Sequence, residues 1–453
     1  MPRILLVNPP IHDFTAHDFW LKPFGLLRVA GELRGLADMV LFDALDRMDP
    51  RHGPVAGRNI DEFGRGRFHS QVLSRPAALA GVPRHYHRFG APREAFQSFL
   101  QSSGSFDFAL VATGMTYWYP GVAEVVADLR RISPGTRIAL GGVYATLCPS
   151  HARGLGADLV VQGLDLSVLW SFLGLQARDR RPQKPLWEAY SRLRTGILKL
   201  ADGCPFRCTY CSVPQVYPDF VGQPLERSVA ELAFLLDRGA QDVAFYDDAL
   251  LYRMDRILLP FLRAVAEGGL RVRFHTPNAL NARFITPEVA HAMVHGGFRT
   301  FYLGFESSGV DWQRKTGGKV YSQELERAVR NLDAAGANLE NVTAYLILGH
   351  PEGDLQGVEA SMRFASSLGL RVLLSEFSPI PGTPDGERCR KWVDLDEPLN
   401  HSKTAFPLAL LGKTEVDRLK TIARTLNEGL RRAPGQGSSV APGTTMSYTA
   451  RGQ

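Results

Sequence analysis

The chain has 453 residues, 45% of them hydrophobic and 22% charged, with a formal net charge of +6. That length exceeds one ordinary domain, and the composition is that of a globular protein, neither collagen-like nor disordered. No uninterrupted apolar run is long enough to span a bilayer, no basic block marks a nucleic-acid surface, and five cysteines with three crowded into one loop make a poor disulfide framework. The N-terminus, Met1-Pro2-Arg3-Ile4, enters a strand-like run directly instead of a signal peptide, so a cytoplasmic location is expected.

Residues 3–7 read as a strand ending in Asn8-Pro9-Pro10, 25–36 as a helix and 39–43 as a second strand. Residues 108–113 form a third strand ending in Gly114-Met115-Thr116-Tyr117, followed by a helix with Val122, Val125, Val126 and Leu129 on one face. Two more strands, 137–140 and 159–161, end in Gly141-Gly142-Val143-Tyr144 and Gln162-Gly163. This alternation predicts a doubly wound, Rossmann-like α/β domain over 1–175, with ligands beyond the carboxyl ends of its strands. The stretch 49–104, rich in Arg, His, Pro and Gly, exceeds what that fold needs and reads as an insert, facing substrate or looping free. His12 and His17 follow the first strand, where a lone histidine is ordinarily exposed.

After a linker, 176–195, comes a short strand and the loop Asp202-Gly203-Cys204-Pro205-Phe206-Arg207-Cys208-Thr209-Tyr210-Cys211. Three thiolates on one loop suit an iron-sulfur cluster and leave one iron of a four-iron cluster open to an outside ligand. Structural zinc wants a fourth ligand, and no second cysteine pair or close histidine pair follows. Cys148 and Cys389 stand apart and read as small buried residues.

Downstream, short apolar runs alternate with amphipathic segments. Ser228 is placed to cap a helix, and a second strand, 242–246, delivers Asp247 and Asp248. A third, 272–275, contains His275 and leads to Asn278 and Asn281; Thr286-Pro287-Glu288 starts a helix. The fourth strand, 301–305, ends in Glu306-Ser307-Ser308, the fifth, 343–348, in Gly349-His350-Pro351-Glu352, and the sixth, 372–374, near Glu376. Six units predict a partial (β/α)6 TIM-type barrel over 196–383, with polar residues gathered at one mouth. Residues 384–433 read as a helical cap closing that mouth, and the Gly-, Ser-, Thr- and Pro-rich 434–453 as a disordered tail.

The Cys-x3-Cys-x2-Cys spacing with Tyr210 before the third cysteine resembles the signature of radical S-adenosylmethionine (SAM) enzymes. The resemblance implies a [4Fe-4S] cluster on Cys204, Cys208 and Cys211 and reductive cleavage of SAM. It places Tyr210 near the adenine, Asp247 and Asp248 at the SAM amino group, and Glu306 and Ser307 at the ribose and methionine end. Gly349 and Glu352 would border the adenine, and Arg314, Lys315 or Lys319 the SAM carboxylate. The N-terminal series is similar to the cobalamin-binding domain that precedes the barrel in one large class of these enzymes, the class B methyltransferase-like group. Asn8, Pro9, Thr116, Tyr117, Gly141, Gly142, Val143, Gln162 and Gly163 would border the corrin. No Asp-x-His-x-x-Gly run occurs, so a histidine ligand below the cobalt is not expected.

The function implied is methyl transfer from methylcobalamin to an unactivated substrate carbon after hydrogen abstraction by a deoxyadenosyl radical. Other outcomes weighed are radical rearrangement, cyclisation or oxidation, a cobalamin-free enzyme with a vestigial first domain, and a non-catalytic sensory or binding protein. Tyr117, Tyr144, His275, His350 and Glu376 are candidates for substrate or proton handling. The substrate is a small molecule, a natural-product precursor or a peptide, and by resemblance the electron donor is a flavodoxin or ferredoxin.

Overall fold

The structure, a computed structural model, describes residues 1–55, 60–176 and 183–432. The tail expected over 434–453 lies outside them. The first sheet contains β1 (Arg3–Asn8), β2 (Asp38–Asp43), β3 (Phe108–Thr113), β4 (Arg137–Gly142) and β5 (Leu159–Val161). Its order is β5-β4-β3-β1-β2, all parallel. Helices cover both faces, so β1 is a continuous buried apolar run, Ile4 to Val7, instead of an alternating one. Strand order reverses between β1 and β3, and that crevice is where doubly wound sheets take ligands.

The stretch 49–104 is built into the domain. Strands Ser70–Leu73 and Tyr86–Phe89 pair antiparallel with each other, and Tyr86–Phe89 also pairs with Ile11–Asp13. Gly66–Arg67 pairs with His17–Asp18. The expected exposure of the two histidines is therefore corrected. His12 is buried 3.3 Å from Glu124, and His17 is largely covered, so burial, helped by Arg65, lowers its imidazole to about 4.

The linker is also core. Leu186, Trp187, Tyr190 and Leu193 are buried in the main apolar cluster, and the Tyr190 hydroxyl donates to Asp43 Oδ2 at 2.5 Å. Trp187 Nε1 donates to Glu231 Oε1 at 3.0 Å. Burial raises the Glu231 carboxyl from 4.5 to about 7. The folded state holds this proton up to about pH 7, the unfolded chain only to about 4.5, so the penalty is absent at low pH and complete above 7. Glu231→Gln keeps an acceptor for Trp187 and should stabilise the protein by about 2–3 kcal/mol at pH 8. In urea melts that gain should vanish towards pH 4; an equal gain at both pH values would refute the account.

The second sheet runs β6 (Thr195–Leu198), β7 (Asp242–Phe245), β8 (Arg273–Leu280), β9 (Phe298–Glu306), β10 (Val342–Leu348) and β11 (Arg371–Glu376). The strands are parallel and in sequence order, and β6 does not pair with β11, which leaves a partial barrel. Thr286 caps its helix as expected, accepting from Val289 N at 3.2 Å. Ser228 does not: the helix Leu225–Asp237 starts after Pro224, and the Ser228 hydroxyl turns back to the Pro224 carbonyl. The last helix, Lys413–Arg432, does not close the mouth but lies along β11. Asn427 bonds both the N–H and the C=O of Val372, at 2.8 and 2.9 Å, satisfying the edge strand.

The bore of the partial barrel is filled from the N-terminal domain. Trp20, 1% exposed at φ 60°, stacks on His275 at 4.4 Å and donates to the Phe63 carbonyl at 2.8 Å. The Tyr246 hydroxyl donates to the Trp20 carbonyl at 2.8 Å, and Arg65 donates to the Tyr302 hydroxyl at 2.8 Å. Trp20, Phe63 and Ala244 form a cluster of their own. A large aromatic in a dry bore gains most from burial when its N–H and carbonyl are both bonded, as here.

Candidate active site

Above this plug, at the carboxyl ends of β6 to β11, lies a cavity of about 490 Å³. Cys204, Cys208, Cys211 and Tyr210 line it from the loop after β6, Asp248 from β7, Asn278 and Asn281 from β8, Glu306 from β9 and Glu376 from β11. Gly203 turns the cysteine loop at φ 80°, where a Cβ would sit 2.2 Å from the Asp219 carbonyl oxygen. All three cysteines are free. Burial raises each thiol, Cys211 to about 11, with Cys208 and Cys204 adding to the rise. Among the described residues no three His, Cys, Asp or Glu side chains converge on one point as a single ion requires. A four-iron cluster takes one thiolate at each of three irons, so spaced thiols on one wall fit it better than zinc.

Two ion pairs flank the sulfurs: Lys199 to Asp248 at 3.2 Å and Lys319 to Glu306 at 3.1 Å. Glu306 has φ 66°, a strained conformation for a non-glycine residue, which turns its carboxylate into the mouth. Gly304 makes room for Lys319, whose Nζ would lie 2.5 Å from an added Cβ. Of the three basic candidates Lys319 alone lines the cavity, while Arg314 reaches out to Asp311. Asn281 Nδ2 is buried without a hydrogen-bond partner and borders the same space. A zwitterionic sulfonium amino acid with a ribose offers acceptors and charges for this set.

A buried brace holds the cysteine loop. Thr209, between the second and third cysteines, donates its hydroxyl to Asp385 Oδ2 and accepts the Asp385 N–H at 3.1 Å. His350 Nε2 donates to Asp385 Oδ2 at 3.0 Å, and its Nδ1 accepts from Trp312 Nε1 at 3.3 Å. The Trp312 ring stacks on Tyr210 at 6.2 Å. Burial would raise the Asp385 carboxyl, but bonds from His350 and Thr209 hold it below its ordinary range. His350 is thus a positioning residue with both ring nitrogens engaged.

Other expected residues lie elsewhere. Asp247 turns from the cavity and accepts the N–H groups of Leu200 and Ala201 at 2.7 to 3.1 Å. Ser307 accepts from Gly309 N at 3.1 Å. Gly349, at φ 83°, is packed by Pro407, 2.6 Å from an added Cβ, and Glu352 pairs with Arg388 at 3.0 Å. His275 sits near the amino end of β8, fully buried between Asp242 at 2.9 Å and Thr300 at 3.0 Å. Tyr144 is core, with its hydroxyl 2.5 Å from His151 Nδ1.

In the N-terminal domain, the ends of β3 to β5 form a side-chain-poor shelf: Gly114, Gly142, Gln162 and Gly163 are exposed and Val143 half-buried. Gly142 has φ 121° and crosses Thr113 closely, while Gly163, at φ 66°, has open space where a Cβ would be. Such a shelf fits a flat macrocycle. The end of β1 is less open: Pro9 is buried, and Asn8 donates to Asp43 Oδ1 at 2.6 Å. Gly141 accepts from the Thr113 hydroxyl at 3.1 Å, and Thr116 is covered by His401, its Oγ1 2.9 Å from Nδ1. The helix Val143–Leu147 packs on Val213–Val216, just after Cys211, so the shelf adjoins the sulfur-lined mouth.

Lys199, Asn281, Trp312 and Asp385 are the site residues the sequence reading did not single out as functional or passed over. Only Asn281 had a signal, its place after a predicted strand.

Residues 198–365 match the radical SAM superfamily. An uncharacterized methyltransferase of Pyrococcus horikoshii is 28% identical over 42% of this chain, and a threonylcarbamoyladenosine tRNA methylthiotransferase of Thermotoga maritima 23% identical over 58%. The matches span only 40% and 64% of those proteins' own lengths. In fold, the chain is similar to TsrM, a radical SAM methyltransferase of Kitasatospora setae solved with tryptophan and a SAM analogue. The TM-score is 0.66 at 14% identity, over 93% of this chain and 89% of that one. OxsB, a cobalamin-dependent SAM radical enzyme solved with aqua-cobalamin and SAM, aligns with a TM-score of 0.56 at 13% identity, over 94% and 61%. Among the described residues no helix is long and apolar enough to cross a membrane.

Proposed function

We propose, from a chain that carries a radical SAM domain within the two-domain fold of cobalamin-dependent relatives, that it methylates an unactivated carbon of its substrate. The observation that carries this reading is the adjacency of two surfaces: the sulfur-lined mouth and the glycine shelf, joined where Val143–Leu147 packs on Val213–Val216. When bound, a [4Fe-4S] cluster with SAM supplies a deoxyadenosyl radical, and a corrin supplies the methyl group. Cys204, Cys208 and Cys211 would hold the cluster. Asp248, Glu306, Lys319 and Asn281 would hold SAM, the lysine facing its carboxylate and a carboxylate its ammonium. Gly142, Val143, Gln162 and Gly163 would border the corrin. The protein's part is to align these groups and to exclude water, which the plug of Trp20 and Phe63 does from below.

The test is anaerobic purification, reconstitution with iron, sulfide and hydroxocobalamin, removal of free corrin, and incubation with methyl-labelled SAM and an outside one-electron donor. Near-equimolar corrin together with 5′-deoxyadenosine upholds the reading, and label in a product completes it. A loaded cluster that retains no corrin would overturn methylation by this route and leave a cobalamin-free radical enzyme.

A further inference from the structure

The side chains around the three cysteines are of two kinds. Charged ones, the Lys319–Glu306 pair and Asp248, have the place given to them above. The other kind is aromatic. Phe206 from the cysteine loop, Tyr252 from the loop after β7 and Phe284 from the turn after β8 are all half-buried and border the cavity together with the thiols. Phe206 stands two positions after Cys204 and two before Cys208. Its ring meets Tyr252 edge to face at 6.1 Å and lies 6.0 Å from Phe284. Phe220 meets Tyr252 edge to face at 5.0 Å, and the Arg253 guanidinium lies 5.4 Å from the Tyr252 ring centre. Edge-to-face contacts of this kind hold rings in one arrangement.

The backbone fixes these rings in place. Val221–Gly222 pairs antiparallel with Ala201–Asp202, which sets Phe220 beside the start of the cysteine loop. Asn281 Oδ1 accepts the Arg283 N–H at 3.1 Å and its carbonyl accepts the Phe284 N–H at 3.2 Å. The residue whose Nδ2 is left unpartnered therefore also builds the turn that carries Phe284. Arg253 holds φ 50°, which a non-glycine residue keeps only where its surroundings constrain it.

Rings from three strand ends that converge beside thiols either stack an aromatic substrate or keep water from what the thiols hold. The second role is favoured by the place of Phe206 inside the cysteine loop, where its position is set by the thiols it separates. Tyr345, Ile347 and Phe377, near the ends of β10 and β11, supply a separate apolar wall for substrate. Reduction adds one electron to a cluster that three thiolates already make anionic, and water favours the more highly charged form. Exclusion of water therefore lowers the potential and makes the reduced cluster the stronger reductant, as cleavage of a sulfonium requires.

We propose that Phe206, Tyr252 and Phe284 form a collar that keeps water from the cluster held by Cys204, Cys208 and Cys211 and so lowers its reduction potential. The inference rests on that cluster, and not on corrin or methyl transfer.

The test is an anaerobic redox titration of the reconstituted full chain without SAM, with dithionite as the electron source and dye mediators, read by the electron paramagnetic resonance of the reduced cluster. Phe206→Ala should raise the reduced-to-oxidised ratio at a fixed potential about tenfold, a positive shift of about 59 mV for one electron. Its cluster should also bleach faster in air-saturated buffer. Phe206→Leu, which keeps apolar bulk, should recover most of both changes, and Tyr252→Ala, on a different loop, should reproduce them. The collar is overturned if the two alanine variants, loaded with iron and sulfide to the parental level, titrate and bleach as the parent does. It is also overturned if neither variant holds iron, since the rings would then build the loop instead of shielding it. If only Phe206→Ala fails to load, Tyr252→Ala decides. A parent chain that loads no cluster removes the collar and the proposed function together, whereas a loaded cluster indifferent to these rings removes the collar alone.

Discussion

Cys208→Ala is expected to abolish the iron-sulfur cluster and all reductive cleavage of SAM. The three cysteines come from one loop whose backbone is fixed on both sides: Gly203 crosses the Asp219 carbonyl, and Gly317, at φ 117°, brings the 316–319 turn against Cys208. No other His, Cys, Asp or Glu side chains among the described residues gather to replace a lost ligand. Cys389 is buried and bonded to the Asp385 carbonyl, and Cys148 does not border the cavity. Iron and sulfide content after reconstitution should fall to background, and 5′-deoxyadenosine with it. Cys148→Ala, outside the cavity, should leave both intact. A Cys208→Ala protein that kept its iron and its cleavage would remove these thiols from the site.

The second large effect is expected at Asp385, which touches no predicted ligand. Its carboxylate takes bonds from Thr209, His350 and Arg388, so Asp385→Ala leaves a hydroxyl and an imidazole N–H unpaired and frees the loop between Cys208 and Cys211. Partners that orient ligands typically carry 10- to 100-fold of metal affinity or activity. Asp385→Ala should therefore lose its cluster to a chelator about 10- to 100-fold faster than the unmodified protein, with SAM cleavage falling in parallel. Asp385→Asn, which keeps one acceptor for Thr209, should recover part of the loss. If both variants merely lower the thermal midpoint while chelator resistance is unchanged, Asp385 supports the fold and not the loop.

The cysteine loop was legible in the sequence because its information is local: three thiols and an aromatic within ten positions of chain. The strands were legible because a parallel sheet buried on both faces needs unbroken apolar runs, such as Ile4 to Val7. Side-chain direction was not, because strand ends fix position without fixing orientation. Asp247 and Asp248 are neighbours, yet one caps backbone N–H groups and the other lines the cavity. His275 was misjudged for a related reason. Its strand continues to Leu280, so the histidine lies at the beginning and not the mouth. The linker read as a spacer because its buried residues, Leu186, Trp187, Tyr190 and Leu193, keep no regular period. Thr209 and Asp385, 176 positions apart, meet only through the fold.

The Trp20 and Phe63 insertion has a consequence for how this architecture can be taken apart. A barrel open between its first and last strands has no floor of its own, and here the floor belongs to another stretch of sequence. Cutting the chain at the boundary its sequence suggests would leave a hollow tube lined by His275, Tyr302 and Tyr246, stripped of the indole and guanidinium that occupy it. Recombining the barrel with a foreign N-terminal domain would meet the same difficulty unless residues 17–20 and 63–67 travelled with it. The inheritable unit is therefore the pair, and exchange of parts between such proteins should favour surface loops over whole halves.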